Sequence, residues 1–187
     1  MMDELSLYVL DITMNSVRAG ATEIEITLRE DGEWLYFSVT DNGCGMLPEQ
    51  VKKLTDPFFT TRKTRKVGLG IPFLTMLAEM TGGGVTIVSK HESEGEDHGT
   101  TTSAKFNMNH IDFIPLGDMV ETVKTLIQGS PDVNFTFTHK LPCGEVRLSC
   151  AELREELGDI PLNEPEILSW IGDYLQEQYE SAENGTC

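Results

Sequence analysis

Residues 34–46 read Trp34-Leu35-Tyr36-Phe37-Ser38-Val39-Thr40-Asp41-Asn42-Gly43-Cys44-Gly45-Met46. The aromatic and branched run from Trp34 to Val39 predicts a strand. Asp41 stands at its end, and two glycines follow at once. Glycines at such a place let the backbone come close to a flat ligand. A strand-end carboxylate is able to accept a hydrogen bond from an exocyclic amine. A glycine turn with no ligand would carry the same letters, so the segment takes its meaning from what flanks it.

Upstream, Ile24, Ile26 and Leu28 alternate with polar residues and predict a partner strand, with Asp31-Gly32 as the hairpin turn. Before it, Leu7, Leu10, Met14 and Val17 recur at steps of three and four. That spacing predicts a helix from Leu5 to Arg18, ended at Ala19-Gly20-Ala21 with Gly20 suited to a left-handed cap. The helix carries Asp11 and Asn15, which at i and i+4 share one face. An amide oxygen suits Mg²⁺, a hard cation. A neighbouring carboxylate is placed to orient or deprotonate a water. Two polar residues on a solvated helix face are the plain alternative.

Downstream, Pro48 to Leu54 reads as a short helix. Residues 56–70 lack periodicity and read as a loop. They contain Asp56-Pro57-Phe58-Phe59-Thr60-Thr61, then Arg62, Lys63, Arg65 and Lys66, then Gly68-Leu69-Gly70 opening a helix over Ile71 to Met80. Glycines at a helix N-terminus bare N–H groups where the macrodipole favours anions. The bases add charge complementary to a triphosphate, although a solvated basic loop beside a helix cap would read the same way. Gly82-Gly83-Gly84 breaks the chain. Val85 to Lys90 and Thr100 to Phe106 predict two more strands, joined by an acidic loop and introduced by Gly99-Thr100-Thr101. His91 and His98 flank that loop and read as solvated.

The 187 residues carry 31 acids and 14 bases, a net charge of −17. The excess argues against a nucleic-acid binder, which needs a basic face, and against docking on an anionic membrane. No apolar run reaches the roughly 18 residues that span a bilayer, and no signal peptide is legible at the N-terminus. A cytoplasmic setting is the expectation. Cys44, Cys143, Cys150 and Cys187 are scattered, so neither a disulfide framework nor a zinc site is indicated. Residues 1–109 hold 10 bases and 16 acids, and residues 110–187 hold 4 bases and 15 acids. An acidic chain with one tight basic loop suggests a small anionic ligand held at one place.

A boundary is expected near Asn109. Beyond it the pattern predicts helices over Leu116 to Gln128, Ala151 to Leu157 and Pro165 to Tyr179. Strands are expected over Val133 to Thr138 and Glu145 to Ser149. Leu168, Trp170, Ile171, Tyr174 and Leu175 on the last helix read as core, with a partner-binding groove as the alternative. The expectation is a nucleotide-type domain at 1–109 and a small acidic α+β domain at 110–187, which meets a protein partner.

In this order and spacing, the stretch from Asp11 to Phe106 resembles the ATP-binding domain shared by gyrase B, the 90-kDa heat-shock chaperones, sensor histidine kinases and MutL, the GHKL family. Asp56-Pro-Phe-Phe-Thr-Thr followed by Gly68-Leu-Gly looks most like the sensor kinases, whereas Asn15-Ser-Val-Arg-Ala-Gly-Ala-Thr22 looks more like MutL. The resemblance implies an α/β (α+β) two-layer sandwich with ATP in a cleft between a mixed sheet and helices. It implies Asn15 on Mg²⁺ and Asp41 on the adenine amine, with Gly43 and Gly45 passing under the base. It implies Thr100 supporting the Asp41 end, and Gly68 and Gly70 offering N–H groups to the phosphates. Phe58 to Val67 would form a lid. Met46, Phe58, Thr61, Lys63 and Leu69 join the nucleotide-contacting set.

Three departures matter. Hydrolysing relatives carry Glu four residues before the magnesium Asn, where this chain has Asp11, an acid one methylene shorter. Asp11 is therefore read either as the water-activating base or as a polar neighbour of the magnesium. Val67 precedes Gly68-Leu69-Gly70 where sensor kinases have Gly or Thr. No phospho-accepting histidine precedes the motif helix, since His91, His98, His110 and His139 all come later, so a self-contained sensor kinase is not expected. The leading expectation is a nucleotide-dependent switch with slow ATP hydrolysis. A protein kinase acting in trans and an ATP-sensing module without chemistry are the alternatives.

Overall fold

A computed structural model describes residues 2–55 and 70–185. The chain runs α1 (Leu5–Arg18), β1 (Glu23–Asp31), β2 (Trp34–Asp41), α2 (Pro48–Thr55), α3 (Gly70–Met80), β3 (Gly84–Lys90), a 3₁₀ turn (Glu92–Glu94) and β4 (Gly99–Asn107). It continues through α4 (Met119–Gly129), β5 (Asn134–Leu141), β6 (Gly144–Ser149), α5 (Cys150–Leu157) and α6 (Pro165–Glu183). The six strands form one mixed sheet in the order β3-β4-β2-β1-β5-β6.

The hairpin predicted between the first two strands is present, with Asp31 paired to Trp34 across Gly32-Glu33. Alternation then sorts the side chains. Ile24, Ile26, Leu28, Leu35, Phe37 and Val39 are buried, and α1 lies against both strands. The alternate residues form the opposite face. There Arg29 sits 4.1 Å from the centre of the Tyr36 ring and Lys105 sits 3.7 Å from that of Trp34. Such contacts let charged stems cover apolar rings on an exposed sheet face.

Residues 110–187, read from sequence as a separate small unit, contribute to this same sheet. β5 pairs parallel with β1, from Glu23–Asn134 to Arg29–Lys140. Buried residues from both stretches, Leu5 and Leu28 with Val123 and Phe137 among them, belong to one hydrophobic cluster. Leu5 and Ser6 donate backbone N–H bonds to the Pro115 and Leu116 carbonyls at 3.0 and 2.8 Å. The helix predicted from Leu116 starts later, at Met119. Asp118 caps it by accepting the Glu121 N–H at 2.8 Å, so Leu116 is left to bind α1 instead.

β6 is an edge strand, and α6 covers its exposed backbone. The Gln178 carboxamide accepts the Arg147 N–H at 2.8 Å and donates to the Arg147 carbonyl at 3.0 Å. This side chain takes the place of a neighbouring strand, which protects the edge from pairing with another chain. A second tie is buried. His139 on β5, 1% exposed, bonds through Nδ1 to the Tyr179 hydroxyl at 2.9 Å and approaches Glu30 of β1 through Nε2 at 3.4 Å. Burial pushes the Tyr179 phenol well above its ordinary value, with Glu30 and Asp118 adding to the rise.

Two expectations are corrected here. Trp170 and Tyr174 are not core but 46% and 39% exposed, while Leu168, Ile171 and Leu175 of the same helix are buried. The helix also continues past Tyr179 to Glu183. Where the scattered spacing indicated no disulfide, Cys143 is disulfide-bonded, while Cys44 and Cys150 are free thiols.

Candidate nucleotide site

The candidate site forms where the C-terminal end of β2, the start of β4 and one face of α1 converge. Asp41 closes β2 opposite Thr100 of β4. Its Oδ2 accepts the Ser16 hydroxyl of α1 at 2.5 Å, and its Oδ1 accepts the N–H groups of Gly43 and Thr100 at 2.9 and 3.3 Å. A carboxylate held from three directions keeps a fixed orientation. The remaining lone pair of Oδ2 is available to an outside donor.

The glycines that follow are required by the chain itself. Gly45 adopts φ +66°, and a Cβ there would collide with the Lys90 carbonyl of β3. A side chain at Gly43 would press on Ala19 at 3.0 Å. Close backbone approach is therefore used between β2, α1 and β3 before any ligand is considered. Asn42 fixes the same turn, accepting the Thr22 and Glu23 N–H groups at 2.9 and 3.0 Å.

Two serines that the sequence left unremarked join this set, together with His98, which the sequence read as solvated. Ser16 holds Asp41. Ser89 of β3 accepts the Met46 N–H at 2.8 Å, donates to the Gly99 carbonyl at 3.1 Å and lies 2.8 Å from the Thr100 hydroxyl. His98 lies 2.5 Å through Nδ1 from the Gly43 carbonyl, so it is tied to the strand-end turn rather than solvated. His91 is taken up locally, accepting the Ser93 N–H at 3.2 Å. No group of three or more His, Cys, Asp or Glu poised for a metal occurs among the described residues.

On α1, Asn15 lies one turn after Asp11, and its Oδ1 accepts Arg18 at 2.9 Å. The Asp11 Oδ2 atom is buried with no hydrogen-bond partner among the described residues. It faces Gly70, the first residue of α3, where a Cβ would strike the carboxylate. The first N–H groups of a helix lack intrahelical partners and carry partial positive charge. The site thus brings together Asp11, Asn15, Asp41, Gly43, Gly45, Met46, Gly70 and Thr100. Phe58, Thr61, Lys63, Gly68 and Leu69 lie outside the described residues.

These residues fit Mg²⁺ and a nucleotide. The orphaned Asp11 oxygen and a phosphate would put two anions at the N-terminus of α3. A cation between the two would make that arrangement more favourable, and the Asn15 carboxamide oxygen, which also accepts Arg18, is a hard ligand one helical turn away.

Comparison with known proteins identifies the family and the fold. Residues 2–110 match the family model described as histidine kinase-, DNA gyrase B- and HSP90-like ATPase. The chain is 31% identical to the sensor histidine kinase ZraS of Escherichia coli K12 over 90 residues, which is 47% of this chain and 19% of that protein. It is 48% identical over 59 residues to the DNA mismatch repair protein PMS1 of Arabidopsis thaliana, covering 32% of this chain and 6% of that protein. The chain therefore spans less than a quarter of the length of these relatives. Among solved structures, the Aquifex aeolicus MutL ATPase domain complexed with ADP is similar in fold, with a TM-score of 0.57 at 18% identity. That likeness covers 84% of this chain and 68% of that one, more of this chain than residues 2–110 supply. The match over residues 2–110, more than half of the chain, places it in the histidine kinase-, DNA gyrase B- and HSP90-like ATPase family.

Proposed function

We propose that the chain is a nucleotide-dependent switch that binds Mg·ATP and hydrolyses it slowly. The observation that carries this reading is the partnerless Asp11 oxygen at the start of α3, one helical turn from Asn15. Asp41 accepts the adenine amine, held in orientation by Ser16 and by the Gly43 and Thr100 N–H groups. Asn15 supplies an oxygen to Mg²⁺, and α3 presents its N–H groups to phosphate. Mg²⁺, when bound, offsets phosphate charge at a site that already holds a carboxylate. Asp11 orients a water and takes its proton as the water oxygen bonds to the terminal phosphorus and ADP leaves.

The test is phosphate release by the purified chain with an Asp11→Asn control. General-base assistance is worth about 10²-fold or more. The Asn variant should therefore lose nearly all turnover while binding Mg·ATP as before. Unchanged release in the variant removes Asp11 from the chemistry.

A second reading is a protein kinase acting in trans. It is favoured by the likeness to ZraS and to sporulation kinase B of Bacillus subtilis, 30% identical over 105 residues. Labelled ATP separates the two: label appearing on a second protein supports transfer, and label appearing only in free phosphate supports hydrolysis.

A further inference from the structure

The outward face of α6 has chemistry that the nucleotide site does not use. Trp170 and Tyr174 stack on each other with ring centroids 5.1 Å apart and planes 10° apart, yet they are 46% and 39% exposed. Large aromatic rings left in water on one helix face form the kind of patch that marks an interaction site. A cleft of about 340 Å³ lies at each end of this face. The first is lined by Glu145, Tyr174, Glu177 and Gln178, the second by Ile160, Glu164, Glu166 and Ile167. Ile160 is itself 49% exposed. Every charged residue lining the two clefts is acidic.

The bases of residues 110–187 balance this surface only in part: Arg147 and Lys140 lie beside Glu145, while Glu164, Glu166 and Glu177 close no ion pair among the described residues. Arg147 donates to both Glu152 carboxylate oxygens at 2.7 and 3.2 Å. Lys124 pairs with Glu121 at 2.8 Å. Arg154 is held by Asn134 and by the carbonyls of Pro131 and Val133. Lys140 stands opposite Glu145 in register without closing an ion pair.

We propose that this face docks a basic protein segment. Its arginine or lysine side chains would pack on the Trp170–Tyr174 pair and meet Glu145, Glu164, Glu166 and Glu177 in the flanking clefts. A guanidinium over an aromatic ring, and more so over indole, gains cation–π attraction, and carboxylates at the rim add bidentate hydrogen bonds. The same charges disfavour the other occupants. A second copy would set acid against acid, and nucleic acid and anionic membranes carry the wrong sign. The proposal rests on the expectation that residues 110–187 meet a protein partner, and it is independent of whether bound ATP is hydrolysed.

The full chain carrying Trp34→Phe, in which Trp170 is the one remaining tryptophan, is titrated with a short amidated Arg-Gly peptide. Glu-Gly and Ser-Gly peptides of the same length serve as controls. The Arg-Gly peptide should shift Trp170 emission saturably, and the controls should not. Glu166→Gln/Glu177→Gln should weaken binding about tenfold, as loss of rim charge and of a central anchor does at other interfaces. Trp170→Ala, read by anisotropy of labelled peptide, should do the same. Glu155→Gln/Glu156→Gln on α5 removes equal charge elsewhere and should leave binding nearly unchanged. The proposal is overturned if the α5 variant weakens binding as much as the α6 variant does. It is also overturned if Trp170→Ala binds like the parent chain, if the Arg-Gly peptide fails to bind, or if sedimentation shows a dimer that Trp170→Ala dissolves. Mg·ATP titration of the same samples reports separately on the nucleotide reading, so either failure is recognised on its own.

Discussion

Both carboxylate oxygens of Asp41 are anchored within the protein, by Ser16, Gly43 and Thr100. In the proposed function, that preorganisation would let one acceptor select an adenine amine without rearranging first. Asp41→Asn keeps the shape but removes the charge that strengthens the bond. A hydrogen bond to a charged group is worth about 1.5–3 kcal/mol, so Mg·ATP affinity should fall about tenfold or more in calorimetry, with the fold retained. The places of Asp41, Asn15 and the glycines in the fold were legible in the sequence because their spacing is fixed by one helix and one turn. Ser16, Ser89 and His98 were not. A serine in a helix or strand and a histidine in an acidic loop look solvated until residues up to 55 positions away arrive as partners. Tyr179 belongs to the same scale. Its buried phenol holds its proton more tightly in the folded than in the unfolded chain. Stability is therefore full below the ordinary tyrosine range and is lost progressively as pH rises from about 10 toward the raised folded value. Melting temperatures across alkaline pH should show this fall, and Tyr179→Phe should flatten it. Cys150, raised by the same desolvation, contributes a parallel loss above its ordinary value that Tyr179→Phe leaves in place.

At the scale of elements, α6 has three separate faces. Leu168, Ile171 and Leu175 fill the core, Gln178 seals the β6 edge, and Trp170 and Tyr174 face water. Sequence periodicity located the helix but merged its aromatic and aliphatic residues into a single apolar set. Hydropathy does not separate a stacked surface pair from a core pair. Gln178→Leu leaves the Arg147 N–H and carbonyl without their side-chain partner and uncovers the edge strand. We expect a loss of about 1–2 kcal/mol in denaturant unfolding, together with concentration-dependent association in size-exclusion chromatography. The α1 helix joins site and fold in the same way: one side packs on the sheet, while Asp11 and Asn15 occupy the side toward α3.

For the whole molecule, the decisive pairing is the parallel contact of β1 with β5, which joins residues more than a hundred positions apart. Parallel partners need a long crossover and leave no local signature, so Asn109 looked like a border although the sheet continues across it. Truncation after residue 110 would bare the β1 edge and the buried side of α1 that meets α4. We expect the fragment to lose cooperative thermal unfolding, whereas the full chain melts in one transition. The charge has a corresponding arrangement. Residues 110–187 hold 15 acids against 4 bases, whereas the described candidate site residues all lie between Asp11 and Thr100.

The proposed function requires Asp41 and Asn15 to hold Mg·ATP on this scaffold. Isothermal titration of the full chain with ATP, with and without Mg²⁺, tests it directly. One saturable site is expected, strengthened by Mg²⁺, weakened about tenfold or more by Asp41→Asn, and left magnesium-independent by Asn15→Ala. Binding that is indifferent to magnesium and unaffected by Asp41→Asn would contradict it.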